Sequence, residues 1–113
     1  FYLTDSGFEI EYQADSADQI ASAIKARTSM QTNTSALIVA HPVKNQMDKK
    51  LHDSILASGL ASAEKEGITG KAVTPFLLEH FHTASDGDSL RVNIEIIKSN
   101  SALAADIAVA LTK

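Results

Sequence analysis

A chain of 113 residues with four histidines and no cysteine can do imidazole, carboxylate, amine and hydroxyl chemistry. It can form no disulfide, thiolate metal site or thiolate nucleophile. His80 and His82 stand two apart on an expected helix, at about 100° per residue, so they point in different directions. They cannot chelate one ion as an i, i+4 pair would. His52 stands alone on a helix start rich in Lys and Asp, and solvated or capping roles are expected for His52, His80 and His82. His41 ends an apolar run, where α/β proteins often place ligands; the choice between capping and ligand binding stays open there. None of this makes a zinc site. A nucleophilic Ser in Asp5-Ser6-Gly7 would need His and acid partners that no spacing reveals, so a turn is the better reading. Gly67-Ile68-Thr69-Gly70-Lys71 echoes a phosphate loop, but the four-residue gap between glycines and the preceding strand are missing. A helix C-cap, a short turn and a surface lysine account for it.

Asn93 is the more informative residue. Leu90, Ile94 and Ile97 share one stripe of the last expected helix, and Asn93 falls in that stripe. Asn100, seven residues on, projects the same way. A carboxamide on an apolar face costs about 1–3 kcal/mol if it stays unpaired. It must therefore meet a neighbouring backbone group, a water or a ligand. Asn presents a donor and an acceptor together, the pairing that a uracil-type edge requires.

The elements that would position these residues can be read from period and punctuation. Phe8, Ile10 and Tyr12 alternate with Glu9 and Glu11, predicting a strand near 8–12. Ser16 and Gln19 form a capping box that opens a helix near 16–30. Ala36-Leu37-Ile38-Val39-Ala40 predicts a central strand near 36–40, ended by His41-Pro42. A helix near 48–66 starts at or beside Asp48, carries Ile55, Leu56, Leu60 and Ala63, and stops at Gly67 as its C′ residue. Gly59 within it points to close packing. Thr74-Pro75 predicts N-cap and first residue of a helix near 74–84. Ser89 is expected to cap a last helix near 89–112, unbroken or interrupted around Ser99-Asn100-Ser101. Strand–helix–strand–helix followed by helices predicts an α/β layer fold.

Hydrophobic residues make up 44% and charged residues 21%, which suits a soluble globular chain rather than a disordered one. A net charge of −4 with scattered basic residues gives no footprint for nucleic acid. No apolar run approaches a membrane span of about 18 residues, and no signal peptide is visible. These features predict a cytoplasmic protein with neither nucleic-acid nor membrane partners. The chain opens on Phe1, which suggests a piece of something longer.

Phe1-Tyr2 with Asp5-Ser6-Gly7-Phe8 resembles the FY-x-x-x-SGF segment of pseudouridine-5'-phosphate glycosidases, the indigoidine synthase A family. Gly67-Ile68 and Gly70-Lys71, then Val73-Thr74-Pro75-Phe76-Leu77-Leu78, is similar to the family's GI-x-GK-x-VTPFLL block. Ser89-Leu90 with Asn93-Ile94 resembles SL-x-x-NI. Asn100, Ala104-Ala105 and Ile107 to Leu111 resemble the closing N-x-x-x-AA-x-IAVAL. The blocks keep order and approximate spacing throughout. Two departures are His41-Pro42 where the family commonly has Asn-Pro, and Ser85 to Leu90 in place of TGG-x-SL.

The resemblance implies reversible cleavage of the C–C glycosidic bond of pseudouridine 5'-phosphate to uracil and ribose 5-phosphate. It implies a lysine Schiff base, a glutamate proton donor and a divalent metal, usually Mn2+. It also implies an α/β/α layered fold and a homotrimer. The family's catalytic lysine, glutamate and metal-binding aspartate belong to motifs upstream of FY-x-x-x-SGF. Residues 1–113 are thus expected to be the C-terminal segment of one glycosidase domain, inactive alone and packed on the rest of its polypeptide. No catalytic residue and no metal ligand is assigned here. Asn93 is expected to contact the uracil side of the substrate, and Thr74 is a second substrate-binding candidate, although capping also explains it. Lys71 matches the signature block and is read as a surface or domain-closing charge. The alternatives are a non-catalytic binding or assembly module, and the same fold acting on an indigoidine-pathway-like substrate.

Overall fold

Ser16 has extended backbone and its hydroxyl accepts from the Gln19 N–H at 3.2 Å, which starts α1, Ala17–Ser29. The Gln19 side chain reaches back, not to Ser16 but to the Asp15 N–H at 2.8 Å. Asp48 does the same work for α2, Lys49–Lys65, accepting from the Leu51 N–H at 2.9 Å. A 3-10 turn, Gly70–Ala72, leads directly into α3, Val73–Ala84, and α4 runs from Asp88 to Leu111. The computed structural model describes residues 2–32 and 34–113. Phe1 of the FY-x-x-x-SGF block and Asn33 of the polar stretch 31–35 lie outside the described residues.

The helix ends share one device. After α2, Gly67 takes φ 69° and the Ile68 N–H reaches the Ala63 carbonyl, with Gly67 N–H on Glu64. This is the Schellman pairing expected of a C′ glycine. Gln31 (φ 58°) and Asp86 (φ 51°) close α1 and α3 in the same way, without glycine's freedom from steric cost. Ser89 is not the cap of α4: the helix begins at Asp88, Ser89 is buried, and the Ser85 hydroxyl accepts its N–H at 3.0 Å. Around Ser99-Asn100-Ser101 α4 continues unbroken, with the Ser101 hydroxyl bonded back to the Ile97 carbonyl.

The α/β expectation is overturned. Among the described residues the chain is all helical, with no strand near 8–12 or 36–40 and hence no α/β/α layering. Alternation specifies which side chains a sheet would bury, but a strand also needs a lateral neighbour for its backbone groups. No such pairing forms among the described residues. Ile10 is 69% exposed, Tyr12 87% and Ile38 88%, values far from those of a half-buried strand.

The chain divides into two compact units. The first comprises Phe1–Ser6 and Pro42–Ile96. Its core gathers Tyr2, Val43, Met47, Ile55, Phe81 and Val92, with Leu56 and Ile96 packed against them. Phe81 is the fully buried centre, and the Tyr2 ring meets it edge-on at 5.3 Å. The segment before Ser6 is fixed by Thr4, whose hydroxyl donates to the Val43 carbonyl at 2.7 Å, and by the Met47 N–H on the Tyr2 carbonyl. The second unit comprises Gly7–His41 and Ile97–Lys113, with Ile20, Ala21 and Ala110 buried. Lys113 pairs with Asp18 there at 3.1 Å.

Candidate functional site

Asn93 lies in the part of α4 that belongs to the first unit. Its neighbours sort cleanly. Ser89 and Val92 are buried and Ile96 packs on the core, so that flank holds the helix in place. Leu90 and Ile94, read from sequence as part of the apolar stripe, are each 48% exposed, and Ile97 is 59% exposed. The stripe is therefore not the core face. Asn93 is exposed, and among the described residues its carboxamide makes no hydrogen bond to protein. A structural bond to a neighbouring backbone group is thus absent, and donor and acceptor both face outward.

Thr74 is also exposed and lies in the first unit. The capping explanation for it fails. α3 starts one residue earlier, at Val73, after an Ala72 cap that supplies no side-chain hydrogen bond. Pro75 still falls in the first turn, where its missing N–H leaves no bond unmade. The Thr74 hydroxyl has no hydrogen-bond partner among the described residues. Lys71, on the 3-10 turn, is exposed.

His82 is exposed, as expected, whereas His52 and His80 take packed roles rather than solvated or capping ones. His52 is 5% exposed, because positions 52, 55, 59 and 63 form the buried face of α2. Its ring lies 5.1 Å from Phe81, and its Nδ1 is 3.1 Å from Asp53 Oδ1. Asp53 also takes Lys49 Nζ at 2.7 Å. The Lys49 bond first, and His52 second, hold the Asp53 carboxyl below its ordinary value, and Asp53 raises the Lys49 ammonium.

His80 packs over Gly59, where a Cβ would come within 2.9 Å of His80 Cδ2 and Leu77 Cδ2. Its ring stacks on Phe76, and Ser58 Oγ lies 2.8 Å from Nε2. Ser58 Oγ also lies 3.0 Å from the Ile55 carbonyl, to which it can donate. The Ser58–His80 contact clasps α2 to α3.

Sequence reasoning singled out His41 and Asn100 separately. In the second unit they meet at 3.3 Å. The acceptor is the Asn100 carbonyl oxygen, so Nδ1–H of His41 donates to it, and Ser99 Oγ lies 3.5 Å from the same nitrogen. Asn100 thus finds inside the protein the partner that Asn93 lacks.

Among the described residues the chain is all helical, carries an exposed amide at Asn93, and gathers no cluster of three metal-ligating side chains. The chain belongs to the family described as indigoidine synthase A like protein, which residues 1–110 match. It is 52% identical over 112 residues to a pseudouridine-5'-phosphate glycosidase of Salinispora tropica, covering 97% of this chain and 35% of the relative. It is 41% identical to the protein of that name from Saccharopolyspora erythraea (98% of this chain, 37% of the relative). It is 35% identical to the one from Clostridium botulinum (100% and 37%). The chain spans about a third of the length of these curated relatives and matches their C-terminal part.

Proposed function

We propose that residues 1–113 are the C-terminal segment of a single pseudouridine-5'-phosphate glycosidase domain. The whole protein reversibly cleaves the C–C bond between uracil and ribose 5-phosphate. The relatives' names support the reaction, and the outward, unpartnered carboxamide of Asn93 is the observation that carries the role of this segment. Uracil offers N–H donors beside carbonyl acceptors, and one carboxamide pairs with both. Thr74, with a free hydroxyl at the start of α3, is the second proposed substrate contact.

A C–C glycosidic bond has no leaving heteroatom to protonate, so two carboxylates do not suffice. An imine between a lysine and the opened sugar supplies the electron sink. In this account the lysine and the proton-donating glutamate come from the remaining polypeptide, and this segment orients the base. The chain alone then has no turnover. Among the described residues no three of His, Cys, Asp and Glu converge on a metal position. The manganese that the resemblance implies is proposed to take its ligands from the remaining polypeptide, and no step here runs through it. A trimeric, cytoplasmic enzyme with neither nucleic-acid nor membrane partners completes the proposal. Among the described residues no helix is long and apolar enough to cross a membrane.

The test is Asn93→Ala in the full-length protein, assayed by uracil release from pseudouridine 5'-phosphate. Turnover should fall while the unfolding free energy stays within about 1–2 kcal/mol of wild type. Unchanged uracil release would end the proposal for Asn93.

A further inference from the structure

The first half of α4 is apolar on more than one side. At 100° per residue, Ser89, Val92 and Ile96 share the buried flank. Leu90 and Ile94 lie roughly 130° and 170° round the helix from its centre. The polar sector is narrow: Arg91 bonds Asp88 at 2.7 Å and Glu95 at 3.2 Å along it. From Val92 round to Ile94 the arc, polar only at the buried Ser89 and at Asn93, covers about 200°, roughly twice the stripe of an ordinary surface helix. A helix of that kind is covered on two sides in a finished protein. Here one side is covered and the other is not.

We infer that the Leu90–Ile94 flank of α4 is the seat of the polypeptide that the relatives carry ahead of the matched part. This chain spans 35% of the Salinispora tropica protein, so about two thirds of such a protein remains to be packed. Asn93 sits between the covered and the uncovered flank. Closure on Leu90 and Ile94 therefore brings the carboxamide to the edge of the seam, where a base held by the other part can reach it. The inference rests on the proposed function for the identity of the occupant, and on exposure and helical geometry for the place.

The experiment is co-expression of the tagged 113-residue chain with the untagged N-terminal part of the Salinispora tropica protein. The two should co-purify. The double variant Leu90→Glu, Ile94→Lys keeps the helix supported by an i, i+4 pair and puts charge on the flank. Its capture of the N-terminal part should fall by more than about tenfold with the far-ultraviolet helical signal unchanged. If that signal falls, Leu90→Gln and Ile94→Gln made singly replace it. Three results overturn the inference: no capture by the wild-type chain, equal capture by the helical variants, or a homodimer of the chain that those variants dissolve and the N-terminal part does not displace. Uracil release by the captured complex is read separately. Capture without turnover retains the seam and removes the functional reading.

Discussion

Asn93 and Asn100 stand seven residues apart on α4, yet their amides have opposite fates. Asn100 bonds His41, whereas Asn93 is exposed and has no hydrogen-bond partner among the described residues. The prediction for Asn93→Ala, lost turnover with little lost stability, follows from that difference. Asn100→Ala should behave the other way, destabilising the second unit by about 1 kcal/mol through the lost His41 bond, read by denaturant unfolding. Asp53 supplies a pH prediction. Its carboxyl is held below the ordinary value by Lys49 and then His52. Its stabilisation is therefore complete above the ordinary carboxylate range and is lost as pH falls through the depressed value. Asp53→Asn should flatten the acid side of the stability curve, and added salt should shrink the effect, because the pair is largely exposed. An acid limb identical in wild type and variant would contradict the assignment.

Among the elements, local punctuation was readable and lateral partnership was not. Ser16, Asp48 and Gly67 act as caps because a cap is settled within four residues. Thr74 and Ser89 misled for a related reason. Each has a capping hydroxyl, but Val73 and Asp88 already continue the helical geometry ahead of them. The 8–12 and 36–40 segments carry strand patterns whose realisation depends on neighbours that the pattern cannot name. His52 was misread from its charged neighbours Lys49, Lys50 and Asp53, although its spacing to Ile55, Gly59 and Ala63 was the signal of burial. Gly59 was read correctly as a close approach, and it can be tested. Gly59→Val should cost about 2 kcal/mol or more by driving side-chain atoms into His80 and Leu77, measured by chemical denaturation. Phe81→Ala, at the centre of the first unit, should cost about 3–5 kcal/mol.

For the whole molecule, the candidate site was legible to the extent that one residue can carry it. The type and stripe of Asn93 were in the sequence. That the stripe faces outward was not, because α4 has two apolar flanks and only tertiary packing chooses between Val92 with Ile96 and Leu90 with Ile94. A chain that spans about a third of its relatives and leaves such a flank open should associate or aggregate when alone, seen as mass above the 12.0 kDa monomer in light scattering. The central claim is that this segment shapes the base side of the site and leaves the covalent step to the remaining polypeptide. Uracil release from pseudouridine 5'-phosphate tests it most directly. The purified 113-residue chain should release none, and its complex with the N-terminal part of the Salinispora tropica protein should release uracil in a manner that Asn93→Ala impairs. Uracil released by the chain alone, or a complex indifferent to Asn93, would contradict the account.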